Sequence, residues 1–260
     1  MSYPDSWYVA TADGIQDRPS LEEDLTADVC VIGGGFTGHS AALNLAELGK
    51  SVVLLEAERI GYGASGRCGG LVGSGQRIEV MVAEKQFGVE RSRQLWNFAE
   101  LAKDEIRNRV AKHDIRCDLQ KGQFVGVHKR SYVGWARELA DVLTERYDYP
   151  YCSSVDREEV SSYVATNNYF EGFYDPEALT LHPLNYTLGL AKAAEKAGVK
   201  IFENSRVTTY SQTDPAIVKT TTGQVKASFI VLACNGYLGN LEPRSAGKIM
   251  PINNFMIATE

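Results

Sequence analysis

Residues 28–56 read DVCVIGGGFTGHSAALNLAELGKSVVLLE, and three consecutive elements follow from this stretch. Asp28 to Ile32 is a short apolar run rich in β-branched residues, the pattern of a parallel strand buried on both faces. Thr37 to Leu48 carries Ala41, Ala42, Leu45 and Leu48 at helical spacing, and Gly49 closes the helix. SVVLLE is a second buried strand. Strand, helix and strand within about thirty residues is the size of a nucleotide-binding unit. Between the first strand and the helix stand Gly33, Gly35 and Gly38 in the pattern G-x-G-x-x-G. Gly33 is expected to make a tight turn, Gly35 to let a pyrophosphate approach the backbone, and Gly38 to let helix pack closely on strand. The phosphates are then expected at the helix N-terminus, against Phe36 and Thr37, where unpaired N–H groups and the dipole favour an anion. Such glycines also serve as a plain turn in a doubly wound sheet. Context adds the weight here: Glu56 ends the second strand about 20 residues past Gly35, with Ala57 beside it, placed to accept hydrogen bonds from ribose hydroxyls. A carboxylate there repels a 2′-phosphate, which disfavours NADP.

NAD and FAD are separated by what comes next. A domain for NAD would soon start another helix and strand, but Gly61 to Gly75 is a loop of small residues, GYGASGRCGGLVGSG, whose bare backbone can lie against a long cofactor. Ser65 and Arg67 are candidates for pyrophosphate or flavin contact, or else members of a solvated loop. Further along, Ile78–Phe87, Val89–His113 and Tyr132–Tyr147 read as helices, and Gln123–His128 as a strand. Pro183–Ala197 is a helix with proline in its first turn, followed by the strand VKIFE. Thr208–Val225 resembles a hairpin around TTGQ, and SFIVLACNG is one more buried strand. Alternating strands and helices with one long insertion predict an α/β fold, a doubly wound Rossmann-like domain interrupted by an α+β region.

The chain has 260 residues, 44% hydrophobic and 23% charged, enough to bury a core. Against 27 Lys and Arg stand 33 Asp and Glu, a net charge of −6 with no long block of either sign, which speaks against nucleic-acid or anionic-membrane partners. No signal-like start and no membrane-length apolar run is seen, and five cysteines without a close pair suggest a reducing, cytoplasmic setting. No His, Cys, Asp or Glu spacing suggests a metal, and no nucleophile elbow appears. His182 precedes a helix and is a candidate cap or substrate-side group; His39 lies near the first helix N-terminus, within possible reach of phosphate.

Several stretches resemble the FAD-dependent amine and amino-acid oxidases of the D-amino-acid oxidase type. They are VIGGGFTGHSAALNLAELG, VVLLEAERIGYGASGRCGG, LHPLNYTLGLAKAAEKAGVKIFENSRV, IVLACNGYLGNL and MPINNFMIATE, spanning nearly the whole chain. The resemblance implies FAD as cofactor, with the first glycine loop and Glu56 on its ADP half. It places Ala64, Ser65, Gly66, Arg67, Cys68, Gly69 and Gly70 along the pyrophosphate and isoalloxazine, Val207 at adenine, and Ala233, Asn235 and Gly236, with Cys234 between, beside the nucleotide. It implies a cofactor domain in two parts, residues 1–121 and 182–247, a substrate region at 122–181, and further substrate-side strands from 248–260. It also implies oxidation of a small-molecule amine of the gamma-glutamylputrescine kind, with oxygen as acceptor and aldehyde, ammonia and peroxide as products. A dehydrogenase with another acceptor and a cofactor-binding module without activity are the alternatives. Cys68 stands where the family usually has asparagine, as a small residue in a tight loop, a reactive thiol or a covalent flavin attachment. Family members also continue beyond Glu260, so the chain is expected to be incomplete, its catalytic side chains elsewhere, and an apolar strand with Met256 and Ile257 free to associate.

Overall fold

A computed structural model describes residues 2–256. Its helices are α1 (Trp7–Ala10), α2 (Phe36–Glu47), α3 (Val80–Phe87), α4 (Val89–His113), α5 (Trp135–Tyr147), α6 (Pro183–Lys196) and α7 (Pro243–Ala246). Its strands are β1 (Asp24–Ile32), β2 (Val52–Leu55), β3 (Leu71–Val72), β4 (Gln120–Val127), β5 (Ser153–Val155), β6 (Glu171–Thr180), β7 (Lys200–Phe202), β8 (Thr209–Tyr210), β9 (Ala216–Lys219) and β10 (Gln224–Leu232). The chain divides into two compact units. One holds the residues up to Gly69, His113–Cys117 and those from His182 onward; the other holds Gly70–Lys112 and Asp118–Leu181.

The first unit is built on a six-stranded sheet in the order β7-β2-β1-β10-β9-β8. The four strands β7, β2, β1 and β10 are parallel, and β9 and β8 return antiparallel. Every residue of β2 is buried, as an unbroken VVLL run requires. β1 starts four residues before the apolar run because Asp24–Ala27 pair with Gln224–Ala227 of β10, a long-range ladder that polar residues can join. Leu21, Ile32, Val53, Leu55 and Val225 meet in the core beneath it, each large aliphatic side chain worth roughly 1.5–3 kcal/mol when fully buried. α6 is capped by His182, whose Nδ1 accepts from the Asn185 N–H at 3.1 Å, so the capping role considered for this residue is the one it fills. α2 meets α6 where the rings of Phe36 and Tyr186 lie 5.5 Å apart.

His39 does not take the phosphate-side role considered for it. Its ring is wholly buried, with Nδ1 3.0 Å from the Gly35 carbonyl oxygen, and burial drives its pKa down to about 4. A histidine depressed in the folded state stabilises above its ordinary value of 6.5, and that contribution is lost as pH falls through about 4. His39→Leu is therefore expected to flatten the acid-side fall of Tm over this range. Parallel Tm profiles for parent and variant would refute the assignment.

The second unit has an antiparallel sheet in the order β3-β6-β4, with β5 also on β6. Its central strand, β6, carries Pro176 and no clean alternation, features that argue against an interior strand. The register shift against Lys121 and Gln123 explains how it survives: the ladder jumps from Leu179 to Asp175, leaving Pro176 in the irregularity. α5 begins at Trp135, three residues later than its apolar spacing suggests. Gly134 is left-handed there (φ 94°), and Glu171 of β6 accepts from the N–H groups of Gly134 (2.9 Å) and Ala136 (3.2 Å). Trp96, Leu139, Leu143, Tyr147 and Phe173 form the core. Within it Lys103 is 2% exposed, its Nζ 2.7 Å from Glu100 Oε2, 2.7 Å from Ser74 Oγ and 3.1 Å from the Tyr149 hydroxyl, which donates to Asp175 Oδ1.

Two expected boundaries are corrected. Residues 70–112 belong with the second unit and not with the nucleotide-binding one, because Trp96 and Lys103 of α4 pack against Tyr149. No strand forms over 248–256, since none of the described strands pairs with this segment; Phe255 stands 91% exposed. The remainder of the expected C-terminal strand, including Ile257, lies outside the described residues.

Candidate nucleotide-binding site

At the C-terminal ends of the parallel strands, where ligands bind in open α/β sheets, the first unit encloses a cavity of about 350 Å³. Gly33, Gly34 and Gly35 form one wall. Gly33 has φ 113°, and a Cβ on it would stand 2.6 Å from the Ala233 carbonyl oxygen, so the turn needs glycine on both counts. Gly35 caps α2, and the first N–H of the helix, on Phe36, donates to Ser65 Oγ at 3.0 Å. Gly38 lies within the first turn of α2, where a Cβ would fall 1.8 Å from the Gly33 carbonyl oxygen. The tight turn at Gly33 and the close helix-on-strand packing at Gly38 are thus steric requirements of this fold, and Gly35 lines the cavity beside them.

Glu56 reaches across from the end of β2. Its Oε2 accepts from the Gly34 N–H at 2.6 Å and its Oε1 from the Glu58 N–H at 2.9 Å. Burial pushes its carboxyl above the ordinary value of 4.5, and these two N–H donors pull it partly back. Each oxygen keeps acceptor capacity beyond its single bond, and the side chain lines the cavity.

Ala57, Ala64, Ser65, Val207, Ala233 and Asn235 also line the cavity. Phe36, Thr37 and Gly38 stand on the first turn of α2 behind it, and Gly66, Arg67, Cys68, Gly69, Gly70 and Gly236 do not line it. Arg67 reaches toward the Tyr237 hydroxyl at 3.4 Å and lies over the Tyr62 ring at 5.3 Å. Cys234 lines the cavity with its thiol 3.4 Å from the Ile32 carbonyl oxygen, and burial raises its pKa. The lining residues that were not anticipated include Tyr62, Tyr237, and the ion pair Arg206–Glu58 at 2.5 Å. The signal for them was thin, since each merely flanks a position already marked.

Strand order, glycine turn and strand-end carboxylate define a dinucleotide-binding α/β protein. The chain belongs to the FAD dependent oxidoreductase family, which matches residues 28–260, and FAD is the cofactor of that family. It is 39% identical over 255 residues to a probable oxidoreductase OrdL of Rhizobium meliloti, covering 98% of this chain and 60% of the relative. It is 37% identical over 257 residues to gamma-glutamylputrescine oxidoreductase of Escherichia coli, covering 98% of this chain and 60% of that protein. The chain therefore spans about 60% of the length of these curated relatives. Among solved structures, glycine oxidase from Geobacillus kaustophilus superposes with a TM-score of 0.68 at 20% identity, over 85% of this chain and 58% of that one. L-alpha-glycerophosphate oxidase from Mycoplasma pneumoniae with FAD bound gives 0.61 at 21%, over 83% and 56%. At such identities the structures show a shared fold.

The cavity fits FAD on its own geometry. Bare backbone at Gly35 faces the Ser65 hydroxyl, which a Cβ would approach to 2.7 Å, and a buried carboxylate with spare acceptor capacity lines the same cavity.

Proposed function

We propose that the first-unit cavity holds FAD and that the protein oxidises the C–N bond of an amine. The carrying observation is the joint placement of the Gly33–Gly35 turn, Ser65 and Glu56 around one cavity. In this arrangement the α2 N-terminus and the Ser65 hydroxyl hold the diphosphate, Glu56 accepts from ribose hydroxyls, and Val207, Ala233 and Asn235 form the adenosine-side wall. Gly66 through Gly70 carry the cofactor onward, with Arg67 as the cation of that loop. When bound, FAD would supply the acceptor for a hydride from the carbon beside the amine nitrogen, which would give up a proton; water would split the resulting imine to aldehyde and ammonia, and dioxygen would take the two electrons with two protons and leave as hydrogen peroxide. Gamma-glutamylputrescine is the proposed substrate, supported by the 37% identity with the oxidoreductase of that name. Among the described residues no helix is long and apolar enough to cross a membrane, and the five cysteines form no disulfide. Association through the C-terminal segment would rest on exposed apolar side chains such as Phe255.

Glu56→Ala is expected to weaken FAD binding by about 1.5–3 kcal/mol for each charge-assisted hydrogen bond lost. Because the ionised form binds the hydroxyls and burial raises its pKa above 4.5, FAD affinity of the parent should fall as pH drops through that raised value. The variant should lack this dependence. Fluorescence titration of the apoprotein over a pH series measures both, and unchanged affinity in the variant would reject Glu56 as the ribose acceptor. The substrate is tested separately, by peroxide formation from gamma-glutamylputrescine with FAD present. The assay compares this chain with the same chain extended to the length of its relatives; turnover by neither would overturn the substrate assignment.

A further inference from the structure

The second unit has a cavity of its own, of about 240 Å³, lined by residues of that unit alone. Its wall is strongly aromatic, with Trp96, Trp135 and Phe173 facing it. Three charged side chains share that wall, and their states differ. Asp175 is 5% exposed and engaged, its Oδ1 accepting from the Tyr149 hydroxyl at 2.9 Å and from the N–H groups of Glu177 and Ala178 at 2.9 and 3.1 Å. Lys103 stands behind Tyr149, donating to its hydroxyl at 3.1 Å while ion-paired with Glu100 at 2.7 Å. Glu79, by contrast, accepts only the Trp135 Nε1–H, at 2.6 Å, and no cation among the described residues pairs with it. Arg77, at the exposed rim, has no hydrogen bond or ion pair among the described residues.

One unpaired cation and one unpaired carboxylate, set on aromatic walls, match a ligand that carries both signs. A guanidinium holds a carboxylate through two parallel N–H donors. An ammonium is drawn both to Glu79 and to the faces of the tryptophans. We propose that this cavity binds a small zwitterion with an apolar body, its carboxylate on Arg77 and its ammonium on Glu79. The site lies wholly within the second unit and stands whether or not the first unit takes FAD.

Calorimetry of the purified chain tests this with three probes of one shape: phenylalanine, which has both charges, phenethylamine, which lacks the carboxylate, and hydrocinnamate, which lacks the ammonium. Phenylalanine should bind at least ~10-fold more tightly than either. Arg77→Ala should reduce phenylalanine to the level of phenethylamine, and Glu79→Gln to that of hydrocinnamate. Val125 lines the cavity from β4 and is 47% exposed, so Val125→Trp fills the space without replacing a buried residue and should remove all binding at an unchanged Tm. Equal binding of the three probes, binding that survives Val125→Trp, or no heat from any probe at millimolar concentration would each overturn the proposal.

Discussion

Gly35→Val should abolish FAD binding while the chain stays folded, whereas Gly38→Ala should cost the fold as well. Both glycines belong to one six-residue motif, yet what surrounds them differs. A Cβ at position 35 would meet only the Ser65 hydroxyl, at 2.7 Å, and that side chain can rotate away. The fold therefore tolerates the change, but branched bulk then occupies the cradle before the first N–H groups of α2, and FAD affinity should fall by about 100-fold or more. A Cβ at position 38 would stand 1.8 Å from the Gly33 carbonyl oxygen, and backbone cannot rotate away. Glycine to alanine inside a helix ordinarily stabilises by up to about 1 kcal/mol. Here overpacking reverses the sign, to a loss of about 3 kcal/mol, read by urea unfolding. Flavin retained by Gly35→Val would remove the glycine turn from the site.

Lys103→Met should destabilise the second unit by about 3–5 kcal/mol, the usual cost of removing one partner of a buried ion pair. The ammonium is 2% exposed; its loss leaves Glu100, 21% exposed, with the Gly75 N–H as its remaining donor and removes one donor each from Ser74 and Tyr149, which keep their 2.8 Å bond to each other. Glu100→Gln in the same chain should recover part of that loss, since the stranded charge is then gone. Urea midpoints for parent, single variants and double variant complete the cycle; a loss under about 1 kcal/mol for Lys103→Met would mean that water reaches the pair. The same cluster holds the loop before α3 in place, because Glu100 also accepts from the Gly75 N–H at 3.1 Å.

Much of the nucleotide-binding site was legible in residues 28–56 because its determinants are local. A buried strand, a glycine turn and a helix start are each specified by neighbours in the chain, and Glu56 follows at a distance set by the length of the unit. The second unit was not legible in this way. β6 holds its central place against its own composition because β3, β4 and β5 pair with it and a register shift absorbs Pro176, and α5 starts where Glu171, on another element, caps it. Tyr62, Tyr237 and the Arg206–Glu58 pair line the cavity beside positions the sequence had marked, and only the folded chain shows that their side chains turn into it. The sequence by itself determined the nucleotide-binding unit, its glycines and its carboxylate, since short-range sterics and hydrogen bonding act within a few residues. Only the tertiary structure decided the boundary at residue 70, the neutral state of His39, the buried Lys103 cluster and the second cavity, because burial and long-range pairing depend on which distant segments meet.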